Sequence, residues 1–192
     1  MNIGQKILLS CLMLLLTVSF ASDSYARKVK GIDFPDTQSI GGKQCKLNGV
    51  GIRKKVIINV YVAGLYLEKP TKNAAQVINS DQAKRVHIEF LYKEVRADQL
   101  TEAWDEGLAG NAGSLSPALR AKFAKFNAMF TESLKKGETM TFTYIPGTGT
   151  DVTIKGRSKG VIEGADFMKA LFSVWFGPKP PNKGLKTGML DN

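Results

Sequence analysis

Arg53 closes the segment Gly49-Val-Gly-Ile-Arg53, an otherwise apolar strand pattern that ends on a cation. By simple alternation it shares a face with Cys45 and Leu47, unless the two glycines form a bulge. A guanidinium on an apolar face needs a carboxylate or carbonyl partner. The other placement sends Arg53 into solvent at the strand end, beside Lys54 and Lys55. Trp104 and Asn111 make a second pair. They lie nearly two helical turns apart, on one stripe. Trp104 is then a core residue or the wall of a cleft. A buried amide must find partners, so Asn111 either enters that cleft or caps the helix end near Gly110 and Gly113. His87 is the only histidine, so a Ser-His-Asp or Cys-His arrangement would rest on one residue inside a strand pattern. One histidine and one cysteine beyond residue 26 do not make a zinc site. Gly147-x-Gly149 lacks the lysine and helix of a phosphate loop, so it reads as a turn. No dinucleotide fingerprint follows a strand, and no cofactor or metal is expected.

The N-terminus changes the meaning of the charge. Met1–Lys6 carries one positive charge, residues 7–20 are almost wholly apolar, and small residues follow at Ser24 and Ala26. That is the layout of a secretory signal peptide, shorter than the roughly 20 apolar residues of a membrane span. The expectation is a signal peptide over residues 1–26, a single domain over 27–192 and a periplasmic location. The chain has 27 Lys+Arg against 17 Asp+Glu, a net charge of +10. Removing Lys6 and Asp23 leaves that value unchanged. A basic protein that is exported does not meet nucleic acid. Its dispersed lysines form a solvated surface, or one drawn to anionic lipid headgroups or an envelope protein. Cys45 alone remains after cleavage, so no intrachain disulfide forms.

These residues must be positioned by strands first. Lys43–Arg53 and Val56–Leu67 form a strand pair, the second apolar on both alternation faces, as a centrally placed strand is. A short helix near Ala74–Ile78 precedes Lys84–Tyr92, where Val86, Ile88, Phe90 and Tyr92 share one face. Leu100, Ala103, Trp104, Gly107, Leu108 and Asn111 then recur at helical spacing. Ser116 and Pro117 open another helix, with Leu119, Phe123, Phe126, Phe130 and Leu134 on its apolar face and Lys136-Gly137 at its end. Thr139–Ile145, Thr150–Lys155 and Val161–Ile162 read as a meander with glycine-rich turns. Ala165–Phe176 is a last helix, and the tail from about Pro178 is expected to be extended. The pattern predicts an α+β domain, an antiparallel sheet with helices on one face.

In order along the chain, five motifs carry a resemblance: Gly49-Val-Gly-Ile-Arg53, Asn59-Val-Tyr-Val-Ala-Gly-Leu-Tyr-Leu67, Glu102-Ala-Trp-x-Glu-Gly-Leu-x-x-Asn111, Gly160-x-Ile-x-Gly-x-x-Phe167 and Leu171-Phe-x-x-Trp-x-Gly177. Together they resemble the chalcone isomerase fold family, and most nearly its exported bacterial members. The resemblance implies an open-faced β-sandwich with a ligand cleft between a large sheet and a helical layer. It makes Arg53 the residue that orients the ligand and Asn111 a cleft residue. Tyr61 falls near another polar cleft position, while Trp104 and Val174 replace a Tyr and a Thr of the catalytic members. Losing such donors argues against efficient ring closure on a chalcone. The leading expectation is therefore non-catalytic binding of a small amphipathic, fatty-acid-like ligand at Arg53, Tyr61, Trp104, Asn111 and Val174. The alternatives are an isomerase (intramolecular lyase) acting on an enone or chalcone-like substrate through Arg53 and Asn111, and, second, an accessory partner in an envelope complex.

Overall fold

The computed structural model describes residues 26–191, so the expected signal peptide lies outside the described residues. Seven antiparallel strands form the main sheet. In chain order they are β3 (Thr37–Ile40), β4 (Lys43–Lys55), β5 (Ile58–Leu67), β6 (Lys84–Phe90), β9 (Thr139–Ile145), β10 (Gly149–Ile154) and β11 (Arg157–Ile162), arranged β11-β10-β9-β6-β5-β4-β3. Two small pairs accompany it: β1 (Ala26–Val29) with β2 (Ile32–Pro35), and β7 (Glu94–Val95) with β8 (Leu134–Lys135). The helices are α1 (Ala74–Asn79), α2 (Ala97–Asn111), α3 (Pro117–Asn127), α4 (Ala165–Phe176) and α5 (Lys183–Met189).

β5 is covered on both faces, as its unbroken apolar sequence requires. Ala63, Leu65 and Leu67 face the helical layer, where the main core gathers Phe123, Phe126, Phe142, Phe167, Leu171 and Trp175. Val62 and Tyr66 face the other way, into smaller clusters with Phe34 and Val50 and with Ile40 and Cys45. β6 follows its alternation: Val86, Ile88 and Phe90 are buried, with His87 and Glu89 half-buried on the far side. His87 has an ordinary structural role there. Its Nδ1 lies 3.0 Å from the Thr141 hydroxyl, and its ring meets Phe34 edge-on. Burial, with the neighbouring Arg85 guanidinium, pushes its pKa down.

Three expectations need correction. Straight alternation along β4 fails, because the register slips between Leu47 and Gly49. Asn48 is the extra residue. Its buried amide donates to the Met189 and Thr71 carbonyls at 2.8 and 3.1 Å and accepts from the Thr71 amide at 2.7 Å. The bulge turns Gly49, Gly51 and Arg53 onto the helical face, away from Cys45. Secondly, α3 stops at Asn127 although Phe130 and Leu134 continue its spacing. Leu134 instead pairs with Val95 in β8. Thirdly, the tail is not wholly extended, because residues 183–189 form α5. A seven-residue helix with two glycines cannot hold itself together in water. It forms because Leu185 and Met189 are fully buried against β4.

Candidate functional site

A cross-strand row supplies one wall of the site. Arg53 is opposite Tyr61 in β4–β5, and Tyr61 is opposite Phe90 in β5–β6. Opposed residues in a sheet project to the same side. The other walls come from helices. Trp104 and Leu100 descend from α2, and Val174 from α4. α2 and α4 cross closely because Gly107 has no side chain, and a Cβ there would lie 2.6 Å from Val174 Cγ1. Between the layers is a cavity of about 370 Å³ lined by Arg53, Tyr61, Phe90, Leu100, Trp104, Met140 and Val174.

Polar groups converge on this apolar space. Tyr61 is 6 % exposed, and its hydroxyl oxygen accepts from Trp175 Nε1 at 3.1 Å. Burial raises the Tyr61 pKa, against the opposing pull of Arg53 and the Trp175 hydrogen bond. The hydroxyl therefore stays protonated at neutral pH, with its proton free for an acceptor. Trp104 sits in an aromatic nest, 5.4 to 6.0 Å from the rings of Phe126, Phe130, Phe142 and Trp175. Its indole N–H is buried without an acceptor among the described residues. None of the ion pairs among the described residues uses Arg53. The rim is divided by charge: exposed Lys55 stands on the sheet side, and exposed Glu102 and Glu106 on α2.

Four of the five expected site residues meet here: Arg53, Tyr61, Trp104 and Val174. Asn111 does not line the cavity. Its Nδ2 donates to the Gly107 and Lys179 carbonyls, both at 2.8 Å, and its Oδ1 accepts from the Lys179 amide at 2.7 Å. It ties the end of α2 to the segment after α4. Asn111→Ala should therefore lower stability by about 1–3 kcal/mol and leave cavity ligand affinity unchanged. Denaturant melts beside a ligand titration check this, and an affinity loss without a stability loss would return Asn111 to the site. Sequence reasoning missed Glu102 and Glu106 on the rim, although they flank Trp104 at i−2 and i+2. Glu94 and Gln99 also border the opening, and no chemical signature marked them. Among the described residues no cluster of His, Cys, Asp or Glu is placed to hold a metal ion.

The family model described as chalcone isomerase-like matches residues 26–191. The chain belongs to the chalcone isomerase-like family. No curated protein sequence matches it. Among solved structures, this family member is similar to an Arabidopsis thaliana fatty-acid binding protein. The TM-score is 0.68 at 21 % identity, over 88 % of this chain and 97 % of the other. At that identity the likeness establishes the fold, a large curled antiparallel sheet with helices, as the strand and helix patterns predict.

Proposed function

We propose that this chalcone isomerase-like chain binds a small amphipathic acid without transforming it. The observation that carries the reading is the cross-strand Arg53–Tyr61 pair on the sheet wall of a cavity that is also lined by a set of large apolar side chains. Two donors, one permanently charged, suit a carboxylate, while Phe90, Leu100, Met140 and Val174 suit an aliphatic chain. The divided rim orients such a ligand, because Glu102 and Glu106 repel an anionic head that Arg53 and Lys55 attract. The cavity volume falls at the low end of the range for small-molecule sites, roughly 300–1,000 Å³. The fatty-acid binding protein of similar fold supports the ligand class. Val174 offers no donor for charge that develops during a reaction, which supports binding rather than catalysis. The apolar leader supports export, and we place the binder in the periplasm.

Native mass spectrometry and lipid extraction of the purified protein should recover a bound acid. Arg53→Ala should weaken affinity for a fatty-acid probe by on the order of 10- to 100-fold, as expected for losing a charge-assisted hydrogen bond. Absence of bound lipid, with equal affinity in the variant, would reject the reading. A rate above background on a panel of enones would instead make the chain an isomerase.

A further inference from the structure

The β4–β5 turn breaks two local rules at once. Lys55 pairs with Ile58, so Val56 and Ile57 are the whole loop. Two-residue hairpin loops favour Asn-Gly, because they demand positive φ. Here Val56 takes φ 58°, a conformation that a β-branched residue adopts only under strain. Both side chains also stand in water: Val56 is 90 % exposed and Ile57 89 %. Of the four large hydrophobic residues exposed among the described residues, three are Val56, Ile57 and Ile58. Asparagine and glycine would remove the strain and the exposure together. A turn that keeps neither is organised around something it touches.

The surroundings identify the partner. Lys54 and Lys55 are exposed directly behind the tip. The Lys54 amide donates to Asn182 Oδ1 at 3.1 Å, which brings exposed Lys183 to the same end of the hairpin. An aliphatic point with an ammonium collar matches an anionic bilayer, with acyl chains for the point and headgroup phosphates for the collar. A protein partner would need a large, shaped contact, and two side chains on a narrow turn offer little area. The location adds a consequence, since Lys55 and Ile58 also border the cavity mouth. We propose that the Lys54–Ile58 hairpin tip is a membrane-docking finger that seats the cavity mouth on an anionic lipid surface. The finger stands independently of the ligand reading, and gives that reading a source for an amphipathic ligand.

Co-sedimentation tests it with the purified protein and vesicles of phosphatidylcholine, alone or mixed equally with phosphatidylglycerol. Binding is expected to the mixed vesicles, weakening as salt rises. The double variant Val56→Asn with Ile57→Asn relieves the strained turn, so it should fold, and should bind them about 10-fold more weakly. Lys54→Gln should cost about fivefold. Ile57→Trp should show a blue-shifted emission, quenched by brominated lipid, on mixed vesicles. Fatty-acid affinity in solution should be unchanged in the double variant, which separates this proposal from the ligand reading. Failure to bind mixed vesicles, or equal binding by the double variant, would overturn the finger. So would a dimer in lipid-free solution that the double variant abolishes, because the tip would then be a contact between two copies.

Discussion

Gly51→Ala is expected to undock the C-terminal helix and destabilise the protein by about 3 kcal/mol or more. The bulge at Asn48 presents Gly49 and Gly51 to α5, and backbone meets backbone there. A methyl at Gly51 would overlap the Leu185 carbonyl, and one at Gly49 the Gly188 carbonyl. The fit is reciprocal, since a methyl at Gly188 would lie 2.5 Å from the Val50 carbonyl oxygen. Main-chain atoms cannot swing aside as side chains do, so the helix must lift. Lifting exposes Leu185 and Met189, both fully buried. It also takes away Met189 O, which accepts from Asn48. Pro181, just before α5, borders the cavity, so ligand affinity should fall with stability. Urea melts and amide exchange along α5 report the effect. Gly184→Ala is the control, because its nearest neighbour would be Asn182 Nδ2 at 3.6 Å. Wild-type stability in Gly51→Ala would mean that α5 is not seated on β4.

The second large effect comes from Lys84, on the β6 edge of the core. Its side chain is fully buried, and Nζ donates to the Val77 and Ser80 carbonyls at 2.5 and 2.7 Å, closing the end of α1. The ammonium also lies 5.4 Å from the centre of the Phe172 ring. Burial pushes the Lys84 pKa down to about 8 from 10.5, partly offset by Asp81. The sign follows from proton counting. Between pH 8 and 10.5 the unfolded chain holds the lysine proton and the folded chain releases it. Stability from this group therefore rises with pH through that window. The gain approaches about 2–3 kcal/mol by pH 10. Tyr66 and Tyr144, both pushed up to about 12, act oppositely once free tyrosines ionise. Lys84→Met should remove the rise, so wild type minus variant should grow more positive from pH 7 to 10 in denaturant melts. A difference independent of pH would show that Lys84 titrates like an exposed lysine.

What the sequence makes legible follows from the range of each signal. β6 and α4 announce themselves through local periodicity, and the Ser116–Pro117 start of α3 through local cap chemistry. Trp104 reaches the cavity wall because α2 keeps one phase over its length. The face of Arg53 was not legible beyond a conditional. One bulged residue decides it, and that residue is fixed by Thr71 and Met189, distant in sequence. α5 was hidden for the same reason, because its stability comes from β4 and not from Lys-Gly-Leu-Lys-Thr-Gly-Met. Asn111 showed that it needed partners but not where they were, and the Lys179 backbone met that need first. The β1–β2 pair and the two-residue β7–β8 pair left no periodic trace, being too short to express one.

The bulge at Asn48 works like a reading frame for a single strand. Upstream of it, odd-numbered residues belong to one side of the sheet, and downstream to the other. Drawing Asn48 into the ladder as an ordinary strand residue would not merely cost its hydrogen bonds. It would send Arg53 out of the cavity and present Val50 and Ile52 to α5 where Gly49 and Gly51 now lie. The side on which Arg53 lies and the seat of the terminal helix are thus set by the same bulge.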